Sequence, residues 1–129
     1  EFQGVPWCGQ DLCRREFLNC AFKSCDFGEC KFTGSVFIDC EFSCCNLSNS
    51  KVENCSFRGV TFDDCKLVNV SFAAANPFLL RLIFKKCKMP HLYFFWIEKS
   101  PTACGLLDCL KNVFAGIINE CKITADFLC

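Results

Sequence analysis

The sequence predicts an all-β coil with four corners per turn, closed at its C-terminal end by an α-helix. Three observations carry this. An apolar residue recurs every fifth position from Phe2 to Phe72. A small residue stands two before each of these centres from Cys20 onward. After Ser100 the spacing of apolar residues changes to the 3.6-residue period of a helix.

The centres are Phe2, Trp7, Leu12, Phe17, Phe22, Phe27, Phe32, Phe37, Phe42, Leu47, Val52, Phe57, Phe62, Leu67 and Phe72. The small residues are Cys20, Cys25, Cys30, Ser35, Cys40, Cys45, Ser50, Cys55, Val60, Cys65 and Val70. The other three positions of each repeat are mostly polar. A period of five suits neither a helix nor a flat strand, because two inward positions in five require a backbone that turns a corner once per repeat. Four corners close a square turn of twenty residues, and successive turns stack at ~4.8 Å. Fifteen centres then build a rod of roughly 18 Å. The large centres fill its middle, and the small residues sit beneath the corners.

The expected core ladder is Phe17, Phe22, Phe27, Phe32, Phe37, Phe42, Phe57, Phe62 and Phe72. Burying the ring of each Phe centre is worth about 1.5–3 kcal/mol before conformational entropy is charged. A core packed in this way leaves no room for a cofactor, so function is expected on the outer faces or at the ends.

Fifteen cysteines in 129 residues would ordinarily suggest a disulfide scaffold. The repeat explains them otherwise. Their spacing of five is not the two-to-four spacing of zinc ligands, and a buried free Cys serves as a small hydrophobe. Twenty residues apart, Cys20 stacks with Cys40, and Cys25 with Cys45 and Cys65. By register Cys8, Cys13 and Cys44 point outward, and these are the expected reactive thiols. Neither a metal nor a cofactor is expected.

Residues 1–76 form the regular coil, and the register fails at Ala73–Pro77. Over 77–99 it resumes weakly with a shift of two, at Leu79, Phe84, Met89 and Phe94, with Leu82, Cys87 and Leu92 two before. Pro90 and the bulky Tyr93–Trp96 run suggest a bulge or loop, so this is read as a degenerate coil or loop. The expected helix spans 100–122. Ser100 is its N-cap and Pro101 its first residue. Its apolar stripe includes Leu106, Leu107, Leu110, Val113, Phe114, Ile117 and Ile118, and Gly105 and Gly116 weaken it. The stripe suits either a cap over the open coil or a dimer contact. Residues 123–129 are a tail.

The chain carries 14 basic and 14 acidic residues, which argues against a strongly basic nucleic-acid binder. No direct nucleic-acid partner is expected. The apolar stretch from Pro77 to Ile97 holds Arg81, Lys85, Lys86, Lys88 and His91, too many charges for a membrane span. No charged leader followed by an apolar run opens the sequence, so the expected compartment is the cytoplasm. His91 is the single histidine. It belongs to no recognisable catalytic constellation, no phosphate loop is present, and no catalytic residue is assigned. The expectation is a non-enzymatic protein.

The repeats CAFKS, CDFGE, CKFTG, SVFID, CEFSC, CNLSN, SKVEN, CSFRG, VTFDD and CKLVN resemble the pentapeptide-repeat family. The resemblance covers residues 2–72 and implies a right-handed quadrilateral β-helix. Cysteine-rich strings such as FLNCAFKSCDFGEC look like its quinolone-resistance and microcin-immunity branches. Relatives of that kind protect DNA gyrase or topoisomerase IV as DNA mimics and join end to end through a C-terminal helical element. The resemblance therefore implies such an enzyme as a protein partner, and a homodimer through the C-terminal helix. Asp39, Glu41, Asp63 and Asp64 are the candidate acidic face, with Lys31 and Lys51 stacked on a different one. Against this, residues 1–76 carry ten acidic and seven basic residues, whereas 18 Å of B-DNA carries about ten charges. Two readings stand: a partial DNA mimic that protects a type II topoisomerase, and an interaction scaffold or bacterial effector module with an unrelated partner.

Overall fold

In the computed structural model, residues 2–76, 79–88, 113–114 and 117–124 are described. Short strands stack in parallel, each over the residues one turn earlier. Strands β1 (Phe2–Gln3), β3 (Ala21–Lys23), β5 (Glu41–Ser43), β6 (Ser56–Asp63) and β7 (Arg81–Lys88) form one wall, in that order. Strands β2 (Glu16–Leu18) and β4 (Val36–Ile38) pair with each other, and β4 pairs on with β6, forming the adjacent wall. β6 is long because it rounds the corner at Gly59 and serves both walls. The other two walls are held by single bridges, through Pro6, Asp26, Asn46, Lys66 and Lys88 on one and Asp11, Lys31 and Lys51 on the other. The result is a parallel β-solenoid of about four turns.

The five-residue period arises at the corners. The residue two after each centre from Phe2 to Leu67 has a positive φ: Gly4, Gly9, Arg14, Asn19, Ser24, Glu29, Gly34, Asp39, Cys44, Asn49, Asn54, Gly59, Asp64 and Asn69. Gly and Asn take this left-handed conformation readily, whereas a side chain such as that of Arg14 or Glu29 costs about 1–2 kcal/mol there.

Inside, the centres stack as expected. Phe22 lies on Phe42 at 4.8 Å and Phe42 on Phe62 at 5.0 Å, with near-parallel rings. Neighbouring columns meet edge to face, as at Phe22–Phe27 (5.3 Å) and Phe37–Phe42 (5.6 Å), the geometry aromatic quadrupoles favour. Every ring of the expected ladder is buried except Phe17, which is half-buried against the core because the first turn has no turn beneath it. Phe2 is 36% exposed for the same reason.

The shifted register appears at β7. Phe84 pairs with Phe62, Leu82 with Val60 and Lys85 with Asp63, each 22 residues on, and an irregularity between Arg58 and Val60 separates this register from the Arg58–Arg81 pair, 23 residues apart. Leu79, expected as a centre, instead points outward with 57% exposure and a φ of 55°, while Leu80 is buried. Met89, His91, Leu92 and Phe94 lie outside the described residues.

The helical expectation is corrected where the chain is described. β8 (Val113–Phe114) and β9 (Ile117–Thr124) are strands, with β9 antiparallel to β7 and β8 antiparallel to β9. Val113, Ile117, Ile118, Ile123 and Thr124 are β-branched and favour extended backbone. The edge of β7 offers unpaired N–H and C=O groups, and a strand satisfies them where a helix would not. Residues 101–112, with Leu106, Leu107 and Leu110, lie outside the described residues, as do 125–129.

Candidate functional site: the charged wall and the thiol column

The side chains of β5, the second half of β6 and β7 build one flat wall. Asp39 occupies the corner that leads into β5, directly beneath Gly59 of the next turn, where a Cβ would stand 2.8 Å from Asp39 Oδ1. Glu41 is the first residue of β5 and pairs with Thr61 above it. Asp63 ends β6, over Ser43, and Asp64 forms the following corner. The four candidate acids therefore lie on a diagonal, two entering the wall on one turn and two leaving it on the next. Asp39, Glu41 and Asp64 are exposed, and Asp63 is half-buried.

Lysines bracket this diagonal. Lys85 pairs directly over Asp63, and the backbone N–H of Asp64 donates to Lys85 O at 2.8 Å. Lys86 takes the corner above Asp64 with a φ of 53°. Below, Lys23 pairs with Ser43. Lys31 and Lys51 bridge on a different wall, in line with Asp11, as register predicts. Sequence reasoning missed the lysines over Asp63 and Asp64, although the shift of two read at Leu79 and Phe84 carries that alignment.

Of the thiols expected to face outward, Cys8 and Cys44 are exposed and Cys13 is half-buried. The Cys44 thiol donates to Asp64 Oδ2 at 3.6 Å. Desolvation, and then the Asp64 charge, push this thiol up from its usual range. At Cys13, a side-chain hydrogen bond with Asp11 acts in the same direction. The same contact, with the Cys13 N–H donating to Asp11 Oδ1 at 3.0 Å, holds Asp11 below the ordinary carboxylate range.

The inward thiols form columns. Cys25, Cys45, Cys65 and Cys87 repeat one geometry. Cys45 Sγ donates to Phe22 O (3.3 Å) and Ser43 O (3.4 Å), Cys65 Sγ to Phe42 O (3.2 Å) and Asp63 O (3.4 Å), and Cys87 Sγ to Phe62 O (3.2 Å) and Lys85 O (3.4 Å). Sequence reasoning stacked the first three. Cys87 completes the column through the same two-residue step. Cys20 and Cys40 form a shorter column that continues as Val60 and Leu82. Polar ladders run outside: Asn69 Nδ2 donates to Asn49 Oδ1 at 3.0 Å, and Asn46 Nδ2 to Asp26 Oδ1 at 3.3 Å. Among the described residues, no group of three or more His, Cys, Asp or Glu is arranged to hold a metal ion, and no helix is long and apolar enough to cross a membrane.

A parallel β-solenoid that turns a corner once per five residues, with stacked Phe centres and small residues beneath its corners, defines the class. A family profile of nine pentapeptide repeats matches residues 17–61 and 27–76. Residues 17–76 are thus repeats of the pentapeptide-repeat family. Among solved structures, it is similar to a pentapeptide repeat protein from the Arabidopsis thaliana thylakoid lumen, with 15% identity over 78% of this chain and 76% of that one and a TM-score of 0.44. It is also similar to a trypsin-treated form of QnrB1, a plasmid-mediated fluoroquinolone resistance protein. There the identity is 19% over 67% of this chain, with a TM-score of 0.35, and the chain spans 51% of QnrB1. No curated protein sequence matches it.

Proposed function

We propose that this protein is a non-enzymatic interaction module whose partner reads one flat wall of the rod. The observation that supports this is the division of labour within each repeat. Two positions in five build a core of rings 4.8 to 6.3 Å apart, and the remaining three present side chains in fixed columns outside. Such a surface is rigid and laid out before binding, so little ordering entropy is lost on association.

The specific partner proposed is DNA gyrase or topoisomerase IV, engaged in the cytoplasm by partial imitation of DNA. Asp39, Glu41, Asp63 and Asp64 place four carboxylates across two turns, about 10 Å at the inter-strand spacing. B-DNA presents about six phosphates over that length. The match is local. Lys23 below and Lys85 and Lys86 above end the acidic diagonal. Their presence favours a second reading, in which an unrelated protein partner reads the alternation of charge.

A supercoiling assay separates the two. Gyrase inhibited by a quinolone is titrated with the protein. Rescue of supercoiling that disappears in the Asp63→Lys/Asp64→Lys variant supports the mimic. No effect of the protein at concentrations far above that of gyrase overturns it and leaves the second reading. Self-association through the 100–122 segment is part of the first reading, and sedimentation of the same preparations measures it.

A further inference from the structure

Two adjacent residues of the first turn break the rules of their own repeat. Arg14 stands at a left-handed corner with a φ of 56°, where the turns above place Gly34 and Asn54 and where a long side chain is strained. Arg15 stands two before the centre Phe17. One and two turns above, Ser35 and Cys55 fill that position with small, buried side chains. The open first turn tolerates a polar residue there, as Gln10 shows, but does not call for a guanidinium. A residue held against its local preference points to a function.

Both arginines are exposed and line one open cleft of about 570 Å³, together with Asp11, Cys13 and Thr33. Its backbone is pinned to the next turn. The Leu12 N–H donates to Lys31 O at 2.7 Å and the Arg14 N–H to Thr33 O at 3.0 Å. The Arg15 N–H donates to Ser35 Oγ at 3.0 Å, and Val36 N–H donates back to Arg15 O at 2.8 Å. Gly34 lies over Arg14, and a Cβ there would stand 3.5 Å from Arg14 Cγ, so the missing side chain leaves room for the arginine stem along the corner. Asp11 is the one carboxylate among the lining residues. It already accepts the Cys13 N–H at 3.0 Å, and Lys31 bridges beside it. The cleft faces away from the acidic diagonal. Asp11 and Cys13 belong to the wall opposite that of Glu41 and Asp63, and the Arg14 corner is diagonally across from the Asp64 corner.

We propose that this cleft is a binding site for a phosphate monoester, gripped by the guanidiniums of Arg14 and Arg15 with the Thr33 hydroxyl as a further donor. A guanidinium presents its N–H donors in a planar fork that matches phosphate oxygens two at a time. A phosphate monoester brings three acceptor oxygens and a charge near −2 at pH 7, enough to occupy both forks. A carboxylate, with two oxygens and a single charge, is satisfied by one. Lys31 offsets Asp11, so both guanidinium charges remain for the ligand. The lining residues include no aromatic ring, and their hydroxyl, thiol and charged groups suit a polar remainder. Two sources carry this group: a phosphorylated side chain of a protein, and a small phosphorylated polyol.

The test titrates the full chain with N-acetyl-phosphoserine amide, glycerol phosphate and N-acetyl-glutamate amide. Calorimetry gives the affinities, and the NMR signals of the arginine Nε–H groups report the site. Both phosphate esters are expected to bind and to shift the Arg14 and Arg15 signals, with the glutamate derivative weaker by about tenfold or more. The tighter of the two esters assigns the source. Arg14→Gly, which relaxes its corner, should weaken ester binding by about tenfold or more. Arg15→Ser, which places there the residue of the turn above, should do the same. Arg14→Lys should behave like Arg14→Gly, because an ammonium lacks the fork. Lys66→Gln, on another wall, should change nothing. The melting temperature of each variant separates lost binding from lost fold. Three results each overturn the proposal: no binding of either ester at millimolar concentration, equal binding in the Arg14→Gly/Arg15→Ser double variant, and glutamate binding as tight as that of the esters.

Discussion

Phe62 and Phe84 stack face to face at 5.4 Å although they lie 22 residues apart, two more than the regular turn. The extra residues are accommodated without opening the core. Phe84 is fully buried, and Phe72 meets it edge to face at 5.4 Å. The solenoid therefore continues across the break in its own repeat.

Phe62 is accordingly the residue on which the last turns depend. It touches Phe42, Phe57, Phe72 and Phe84. Phe62→Ala is expected to cost about 3–5 kcal/mol. Phe2→Ala, at the open end, is expected to cost a small fraction of that. Denaturant unfolding of the two variants measures the difference, and equal losses would refute the ranking.

Corner residues give the opposite sign. Arg14 and Glu29 hold φ values of 56° and 57°, so Arg14→Gly and Glu29→Gly are each expected to stabilise the chain, by roughly 0.5–1 kcal/mol after the added freedom of the unfolded chain is subtracted. Gly59→Ala should destabilise it by more than 1 kcal/mol, since it adds left-handed strain to a contact 2.8 Å from Asp39 Oδ1. The shift in melting temperature decides each sign.

Thiol labelling at pH 8 is expected to begin at Cys8. Cys44 should follow more slowly, because desolvation and Asp64 raise its thiol, and Cys13 should lag through Asp11. Asp64→Asn removes a negative charge, lowers the Cys44 thiol and speeds its alkylation several-fold. Mass spectrometry of the labelled peptides resolves the order. Labelling of Cys55 before unfolding would contradict the buried assignment.

Alkaline stability should fall through Cys55. Burial pushes this thiol from 9.0 up to about 12. Below pH 9 it is protonated in both folded and unfolded chains. Above pH 9 the unfolded chain ionises first, so the contribution is lost progressively as pH rises toward 12, with a slope of about 1.4 kcal/mol per pH unit. In Cys55→Ser that component of the slope should vanish in denaturant titrations between pH 9 and 11.

Much of this was legible in the sequence because the core repeats with the chain. Phe22, Phe42 and Phe62, twenty residues apart in turn, announce one column, and Cys25, Cys45 and Cys65 another. What was missed lies where that phase is lost. Leu79 has the chemistry of a centre but falls at a left-handed corner. Lys85 and Lys86 align with Asp63 and Asp64 across the two-residue step, an alignment that the shift at Phe84 already carries. Ile117 and Ile118 fit a helical stripe, yet an unsatisfied strand edge on β7 drew them into β9. That last choice was made by a tertiary partner that no local pattern contains.

The corner every five residues also sets the grain at which this rod can change. Inserting or deleting five residues leaves large centres over large centres, and so leaves the interior intact. Everything beyond that point turns by a quarter revolution, and Lys85 would no longer stand over Asp63. Binding surfaces on such a scaffold can be re-aimed against one another by the length of the chain alone, with no exchange of side chains.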